Sequence, residues 1–329
     1  MDLSVFDGSK VFITGATGLI GSALVRSLLL HESKNPVKVV ALVRNKSKAQ
    51  KLFSDLPQER LSYIVCDVCD LKAENIFADY IIHCANQTAS KAFVTQPVEV
   101  ILSAVEGTKK VLEFALKNPV KGFVYLSTME VYGSPATSDK IYETSPTNID
   151  TMQVRSSYPE SKRLCECLCA SYADEYGLPA KVVRLTQTFG EGVDYNDGRL
   201  FAELARCVIE KRDIVLNTKG ETERNYLYIQ DATDAIFTVL YYGESGEAYN
   251  AANEDTYCSV YDMACMVADK LGEGIKVKVC VAEDINKYGY APCLKMNLST
   301  RKLNSLGFKA ETDLLSSFEK MINDMRKNR

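Results

Sequence analysis

The chain has 329 residues, 46% hydrophobic and 25% charged, with a formal net charge of −4 and a pI near 5.5. That balance suits one large globular domain or two intimate ones, and mild acidity without long basic runs argues against nucleic acid and towards small-molecule partners. No charged-then-apolar leader pattern opens the sequence and no run of about 18 apolar residues follows, so no membrane association is expected, and eleven cysteines without a secretory signal read as free thiols of a cytosolic protein.

Residues 10–21 read Lys-Val-Phe-Ile-Thr-Gly-Ala-Thr-Gly-Leu-Ile-Gly: a short apolar strand, three glycines, then a helical run to Leu30. Glycine lets a backbone turn tightly and approach a pyrophosphate, while the following helix N-terminus supplies N–H donors and partial positive charge. A tight turn alone would explain the triplet. The strand before it and the helix after it point instead to a dinucleotide site, with Gly15, Thr17, Gly18, Leu19, Ile20 and Gly21 as its phosphate loop.

A second strand, 37–43, ends at Arg44-Asn-Lys-Ser-Lys48. An acidic residue at such a strand end binds the ribose 2′-hydroxyl of NAD, whereas arginine can receive the 2′-phosphate of NADP. Arg44 thus favours NADP over NAD, a solvated basic loop being the plain alternative. A third strand, 61–65, leads to Asp67 and Val68, placed for the adenine edge. A fourth, 80–85, carries His83, read as a core histidine, and ends at Cys84 and Ala85, assigned to the same cofactor. A helix over 98–117 and a fifth strand at 122–127 follow, the strand running into Ser-Thr-Met-Glu-Val-Tyr-Gly. Such alternation predicts a parallel, doubly wound α/β sheet whose ligands lie beyond the strands' carboxyl ends, where Ser127, Thr128 and Glu130 fall.

Tyr158-Pro-Glu-Ser-Lys162 opens a long amphipathic run. Ser157 and Glu160 have the spacing of a capping box, and proline is tolerated in a first helical turn, so a helix is expected to start here. At i and i+4 the phenol and ammonium share one face, and the lysine is expected to lower the tyrosine's pKa from about 10. The pair is a candidate acid/base, although the spacing alone is common. Cys165, Cys167 and Cys169 alternate along this helix and read as packing. Cys66-Asp-Val-Cys69 lacks the second ligand pair of a structural zinc site, and with two histidines in the chain no metal site is expected. Beyond Arg184 the alternation breaks: helices are expected at 200–211, 230–241, 260–271 and 312–325, and strands near 214–217 and 248–251.

Thr-Gly-Ala-Thr-Gly-Leu-Ile-Gly at 14–21, Ser-Thr-Met-Glu-Val-Tyr-Gly at 127–133 and Tyr158-x-x-x-Lys162 together resemble the extended short-chain dehydrogenase/reductases, in their NAD(P)-dependent nucleotide-sugar epimerase/dehydratase group. The resemblance covers nearly the whole chain. Arg184-Leu-Thr-Gln-Thr-Phe-Gly190 is similar to the family's sixth strand and substrate loop, usually Arg-x-x-Asn-x-Tyr-Gly, and residues 222–231 are similar to its Thr-Arg-Asp-Phe-x-Tyr-Val-x-Asp segment.

The resemblance implies a Rossmann-type dinucleotide-binding domain over residues 1–185, with contributions from 225–255, and a smaller interleaved substrate-binding domain over mainly 186–329. It implies that Tyr158 removes the proton of a sugar hydroxyl, usually at C4, as hydride passes to a tightly bound NADP or NAD. Lys162 would stabilise the phenolate and bind the nicotinamide ribose, Thr128 would hydrogen-bond the reacting oxygen, and Glu130 would be a second base. Arg224 would hold the diphosphate of a nucleotide-sugar substrate and Gln187 would replace the loop asparagine. A homodimer through the helices near 98 and 158 is also implied, a monomer with these faces covered by loops being the alternative.

Departures from the pattern narrow the chemistry. Met129 stands where dehydratases usually have Asp or Ser and uronate decarboxylases Ser, so it departs from both patterns; it cannot relay a proton, which counts against water elimination and leaves epimerisation or decarboxylation open. Arg155-x-x-Tyr158 resembles the Arg-x-x-Tyr of nucleotide-uronate decarboxylases, which places Arg155 with the substrate. Ala104 replaces an asparagine often found three residues before the long helix's Gly-Thr, and no Arg-x-Gly-Asp segment is evident at 287–292. An NADPH-dependent reductase of a keto-sugar nucleotide and a non-catalytic dinucleotide sensor are the remaining alternatives.

Overall fold

The structure, a computed structural model, describes residues 1–72, 76–281 and 293–328. Segment 287–292 lies outside the described residues. The chain runs β1 (Lys10–Thr14), α1 (Leu19–Leu30), β2 (Lys38–Val43), α2 (Lys46–Leu52), β3 (Leu61–Val65), β4 (Tyr80–His83), α3 (Ala92–Thr95), α4 (Pro97–Leu116), β5 (Gly122–Thr128) and β6 (Lys140–Ile141). It continues with α5 (Ser157–Tyr176), β7 (Ala180–Leu185), β8 (Gln187–Phe189), α6 (Leu200–Glu210), β9 (Ile214–Leu216), β10 (Glu223–Tyr228) and α7 (Ile229–Tyr242). Last come β11 (Ala248–Ala251), β12 (Asn253–Ser259), α8 (Val260–Leu271), β13 (Val277–Val279), β14 (Lys295–Leu298), α9 (Arg301–Asn304) and α10 (Leu314–Lys327).

Seven strands form one parallel sheet in the order β11-β7-β5-β4-β1-β2-β3. Its central strands are near-continuous apolar runs, as expected of a sheet covered on both faces. Leu24, Leu28, Ile236 and Leu240 of α1 and α7 belong to one core cluster, and Val111, Phe114, Cys165 and Cys169 of α4 and α5 to another. The strand order reverses between β1 and β4, which opens a crevice at their carboxyl ends. This is the Rossmann-type α/β architecture the alternation predicts.

A second sheet, β12-β10-β14-β6 with β8 beside β10, and a small β13-β9 pair lie outside this path. Phe189, Phe201, Tyr226, Met263, Phe318 and Met321 share a separate apolar cluster with α6, α8 and α10. Asn225 is fully buried and ties strands together: its Oδ1 accepts from Leu298 N (2.7 Å) and its carbonyl from the Thr186 hydroxyl (2.6 Å). None of β6, β8, β10, β12, β13 and β14 is among the expected strands, nor is α2 among the expected helices. The fourth strand also stops at His83, because Cys84 and Ala85 leave the sheet to meet Gly15.

The start of α5 differs from the expected capping box. A 3-10 turn, Val154–Ser156, runs straight into the helix, so Ser157 is already helical (φ −49°, ψ −40°) and Ser156 precedes it without a side-chain cap. The Ser157 hydroxyl donates instead to Phe93 O (3.0 Å), and the Glu160 carboxylate lies 3.9 Å from Arg163. Among the described residues no helix is long and apolar enough to cross a membrane.

Candidate active site

The glycine loop crosses the crevice between β1 and β4. Gly15 has φ +64°, and a Cβ there would lie 2.7 Å from Ala85 N, so both its backbone and its neighbour demand glycine. A Cβ on Gly21 would strike the Gly15 carbonyl. α1 starts after Gly18 with no side-chain cap, which leaves its first N–H groups for another acceptor. Thr14 Oγ1 binds His83 Nδ1 (2.7 Å) and accepts from Ala85 N (3.0 Å), joining the two strand ends. His83 Nε2 meets Thr108 Oγ1 (3.1 Å), and burial pushes this imidazole down to about 3, the neutral core histidine expected from the sequence.

Arg44 and Asp67, at neighbouring strand ends, lie 3.9 Å apart and are both exposed. Asp67 also caps the turn Val68–Asp70 by accepting from Cys69 N. Val68 faces α4, where a Cβ on Gly107 would come within 2.8 Å of it. All eleven cysteines are free; burial raises the thiol pKa of Cys69 to about 11 and that of Cys84 to about 12. Among the described residues no group of three or more His, Cys, Asp or Glu side chains could hold a metal ion.

The first turns of α5 bring Tyr158 and Lys162 beneath the end of β5. Lys162 is buried; its Nζ donates to Leu126 O (2.6 Å) and lies 4.7 Å from the Tyr125 ring centroid and 5.9 Å from that of Tyr158. Burial pushes the ammonium down to about 8. The Tyr158 phenol moves against the sequence expectation. Burial raises its pKa well above the ordinary range, Glu130 adds to the rise, and Thr128, Arg155 and Arg199 pull the other way. Desolvation is the larger effect because the ring is enclosed, face to face with Phe93 at 4.2 Å and 8°.

Glu130 and Arg155 form an ion pair at 2.8 Å, and the Arg155 guanidinium carbon stands 5.1 Å from the Phe93 centroid. Arg155 Nε is buried without a hydrogen-bond partner. Met129 is buried and takes a bond from the Thr186 hydroxyl on its sulfur (3.3 Å). Gln187 sits in β8 opposite Tyr226 of β10, two residues from Arg224, whose Nε is also buried and unpartnered. Ala104 contributes its carbonyl, which accepts from the Cys165 thiol (3.3 Å).

Three features fall outside the sequence motifs. Glu166, one turn beyond Lys162, accepts from Ser127 Oγ and from Arg184 Nη2 (2.7 Å), while Arg184 also donates to Tyr132 Oη (2.8 Å) and Glu143 O (2.9 Å). Extending the four-residue spacing from Tyr158 through Lys162 would reach Glu166. Arg199, just before α6, is held by Asp197 (2.6 Å) within electrostatic range of Tyr158, and Phe93 covers that tyrosine's ring. Neither carries a sequence signal.

A parallel sheet with a glycine cradle at its switch point and a Thr–Tyr–Lys set beside it defines a dinucleotide-dependent oxidoreductase-like enzyme class. The sequence model of the NAD dependent epimerase/dehydratase family matches residues 11–252, and the chain belongs to that family. It is 26% identical over 335 residues to dTDP-glucose 4,6-dehydratase 1 of Escherichia coli (strain K12), across 95% of this chain and 91% of that protein. It is 27% identical over 270 residues to UDP-glucuronic acid decarboxylase 3 of Arabidopsis thaliana, across 82% and 77%. Its fold matches UDP-glucuronic acid 4-epimerase from Bacillus cereus in complex with NAD, with a TM-score of 0.77 at 19% identity over 97% of this chain and 99% of that one.

Proposed function

We propose that this chain is an NAD(P)-dependent enzyme that modifies a nucleotide sugar through transient oxidation of its C4 hydroxyl. The observation that carries the reading is the meeting of Thr128, Tyr158 and Lys162 at the end of β5, beside the glycine cradle. The cradle suits a dinucleotide: Gly15 lies where any side chain would collide with Ala85, and α1 begins without a side-chain cap. Gly15, Thr17, Gly18, Leu19, Ile20 and Gly21 would hold its pyrophosphate, Arg44 the adenosine ribose, Asp67, Val68, Cys84 and Ala85 the adenine side, and Lys162 the nicotinamide ribose. When bound, the nicotinamide supplies the redox chemistry, accepting hydride from the sugar and returning it.

Tyr158 takes the proton of the sugar hydroxyl, Thr128 orients the same oxygen, and the Lys162 charge stabilises the phenolate. The resulting ketone acidifies adjacent C–H bonds, and Glu130 receives a proton from that position. Gln187 and Arg224 bind the nucleotide diphosphate. A nucleotide uronate is the second reading, favoured by Arg155, whose Nε has no partner. An arginine is a natural partner for a sugar carboxylate. Next to a C4 ketone that carboxylate is a β-keto acid, which loses CO2 as its bonding pair passes to C5 and the ketone.

The same reading assigns residues 1–185, with parts of 225–255, to the dinucleotide and mainly 186–329 to the substrate. Arg44 carries a preference for NADP over NAD. Exposed Val98, Ile101 and Leu102 of α4 and Leu164 of α5 support a homodimer, and the free thiols a cytosolic enzyme.

Purified protein incubated with UDP-, GDP-, CDP- and dTDP-sugars, without added reductant, tests the reading by mass spectrometry and NMR. Altered couplings at constant mass mark epimerisation, and loss of CO2 marks the uronate reaction. Tyr158→Phe is expected to lower turnover at least about a hundredfold. Wild-type turnover in that variant sinks the assignment, and turnover seen only when NADPH is supplied, with its stoichiometric oxidation, would make the protein a net reductase.

A further inference from the structure

Phe93 belongs to none of the motifs, yet its ring meets two residues of the candidate site, Tyr158 and Arg155. It lies in the short helix α3 and is 2% exposed. That ring is parallel to the Tyr158 ring, with centroids 4.2 Å apart and planes inclined by 8°. The Arg155 guanidinium carbon is 5.1 Å from the same ring, and Arg155 Nη2 is 2.8 Å from Glu130. The Ser157 hydroxyl, beside Tyr158, donates to the Phe93 carbonyl (3.0 Å), so backbone and ring are both tied to the start of α5.

Phe93, Tyr158, Ala92 and Val100 form a small apolar cluster apart from the main cores. The two rings pack on each other within it. A parallel ring at this distance blocks one face of the tyrosine and fixes its plane, so the phenolic oxygen keeps its aim towards Thr128.

We propose that Phe93 is a positioning residue for the reaction: it holds the Tyr158 ring in its working plane and couples that ring to the Arg155–Glu130 pair. This rests on Tyr158 being the acid/base proposed above. An aromatic that merely fills space would be replaceable by another large apolar side chain. A positioning ring is replaceable only by another ring.

Phe93→Leu and Phe93→Tyr test the difference on the full chain. In protein labelled with ring-13C tyrosine, the Tyr158 signal, assigned by its loss in Tyr158→Phe, is expected to report a more mobile ring in Phe93→Leu and a wild-type ring in Phe93→Tyr. With dTDP-glucose and UDP-glucuronic acid as probes, Phe93→Leu is expected to lower kcat about tenfold. KM is expected to stay within about twofold, and Phe93→Tyr to recover most of kcat. Phe93→Met substitutes for the leucine variant if that protein melts early. Unchanged Tyr158 ring mobility in the leucine or methionine variant overturns the proposal, as does wild-type kcat there while Tyr158→Phe is inactive. Wild-type kcat in Tyr158→Phe removes the acid/base reading itself.

Discussion

Two arginine–glutamate pairs flank the start of α5, and they are built differently. Arg184 and Glu166 are 15% and 11% exposed, and Glu166 takes bonds from Ser127 and from both Nε and Nη2 of Arg184. Arg155 and Glu130 are 22% and 27% exposed and meet through one 2.8 Å contact, with Arg155 Nε unpartnered. The first pair ties β5, α5 and β7 into one unit. The second keeps donor and acceptor capacity in reserve, as a pair that must accept a substrate group would. Burial and bond count thus separate an ion pair that holds the site from one proposed to work in it.

The largest expected effect is on folding. Glu166→Ala leaves Arg184 buried without its carboxylate and should cost about 3–5 kcal/mol in urea unfolding. Glu130→Ala, in the more open pair, should cost under about 1 kcal/mol. Equal losses would break the comparison. The next effect is on turnover: Glu130→Gln should lower kcat about a hundredfold with an unchanged unfolding midpoint. If Glu166→Gln loses more activity than Glu130→Gln at equal stability, the roles of the pairs are reversed.

A pH effect extends the comparison to buried cations without a salt-bridge partner among the described residues. Lys162 and Lys181 donate to the Leu126 and Leu240 carbonyls, and burial lowers both pKa values from 10.5 to about 8. The folded chain thus holds these protons less tightly than the unfolded chain. Their charging penalty is fully present below about 8 and fades as pH rises, so stability should increase towards about 10 before buried tyrosines reverse the trend. Urea midpoints at successive pH values measure this, and Lys181→Met should flatten the rise. A slope unchanged by that variant would exclude Lys181 as a source.

The front half was legible because its strands are apolar and its turns rely on glycine. Gly15, Gly18 and Gly21 sit where spacing predicts a cradle, and His83 proves to be a core residue. The second sheet was illegible for a physical reason. β12 reads Asn-Glu-Asp-Thr-Tyr-Cys-Ser, β6 has two residues, and neither is apolar or periodic enough to stand out without its partners. The capping box failed because the preceding turn made Ser157 helical. The tyrosine's pKa went the other way because spacing reports a nearby lysine but not the aromatic wall that keeps water out. Arg199 and Phe93 lie at loop–helix junctions, where proximity to Tyr158 is purely tertiary.

β14 has a consequence for how the molecule assembles. It pairs with β10 on one side and β6 on the other, and its Leu298 amide is the donor received by Asn225. An interior strand of the second sheet is therefore the last of that sheet's strands to leave the ribosome. Strands β1 to β5 can find one another while synthesis continues, but the wall bearing Arg224 waits for pairing across a long stretch of chain, the slow kind of contact in folding. The seven-stranded sheet can thus organise before the second sheet, and order of synthesis becomes order of assembly.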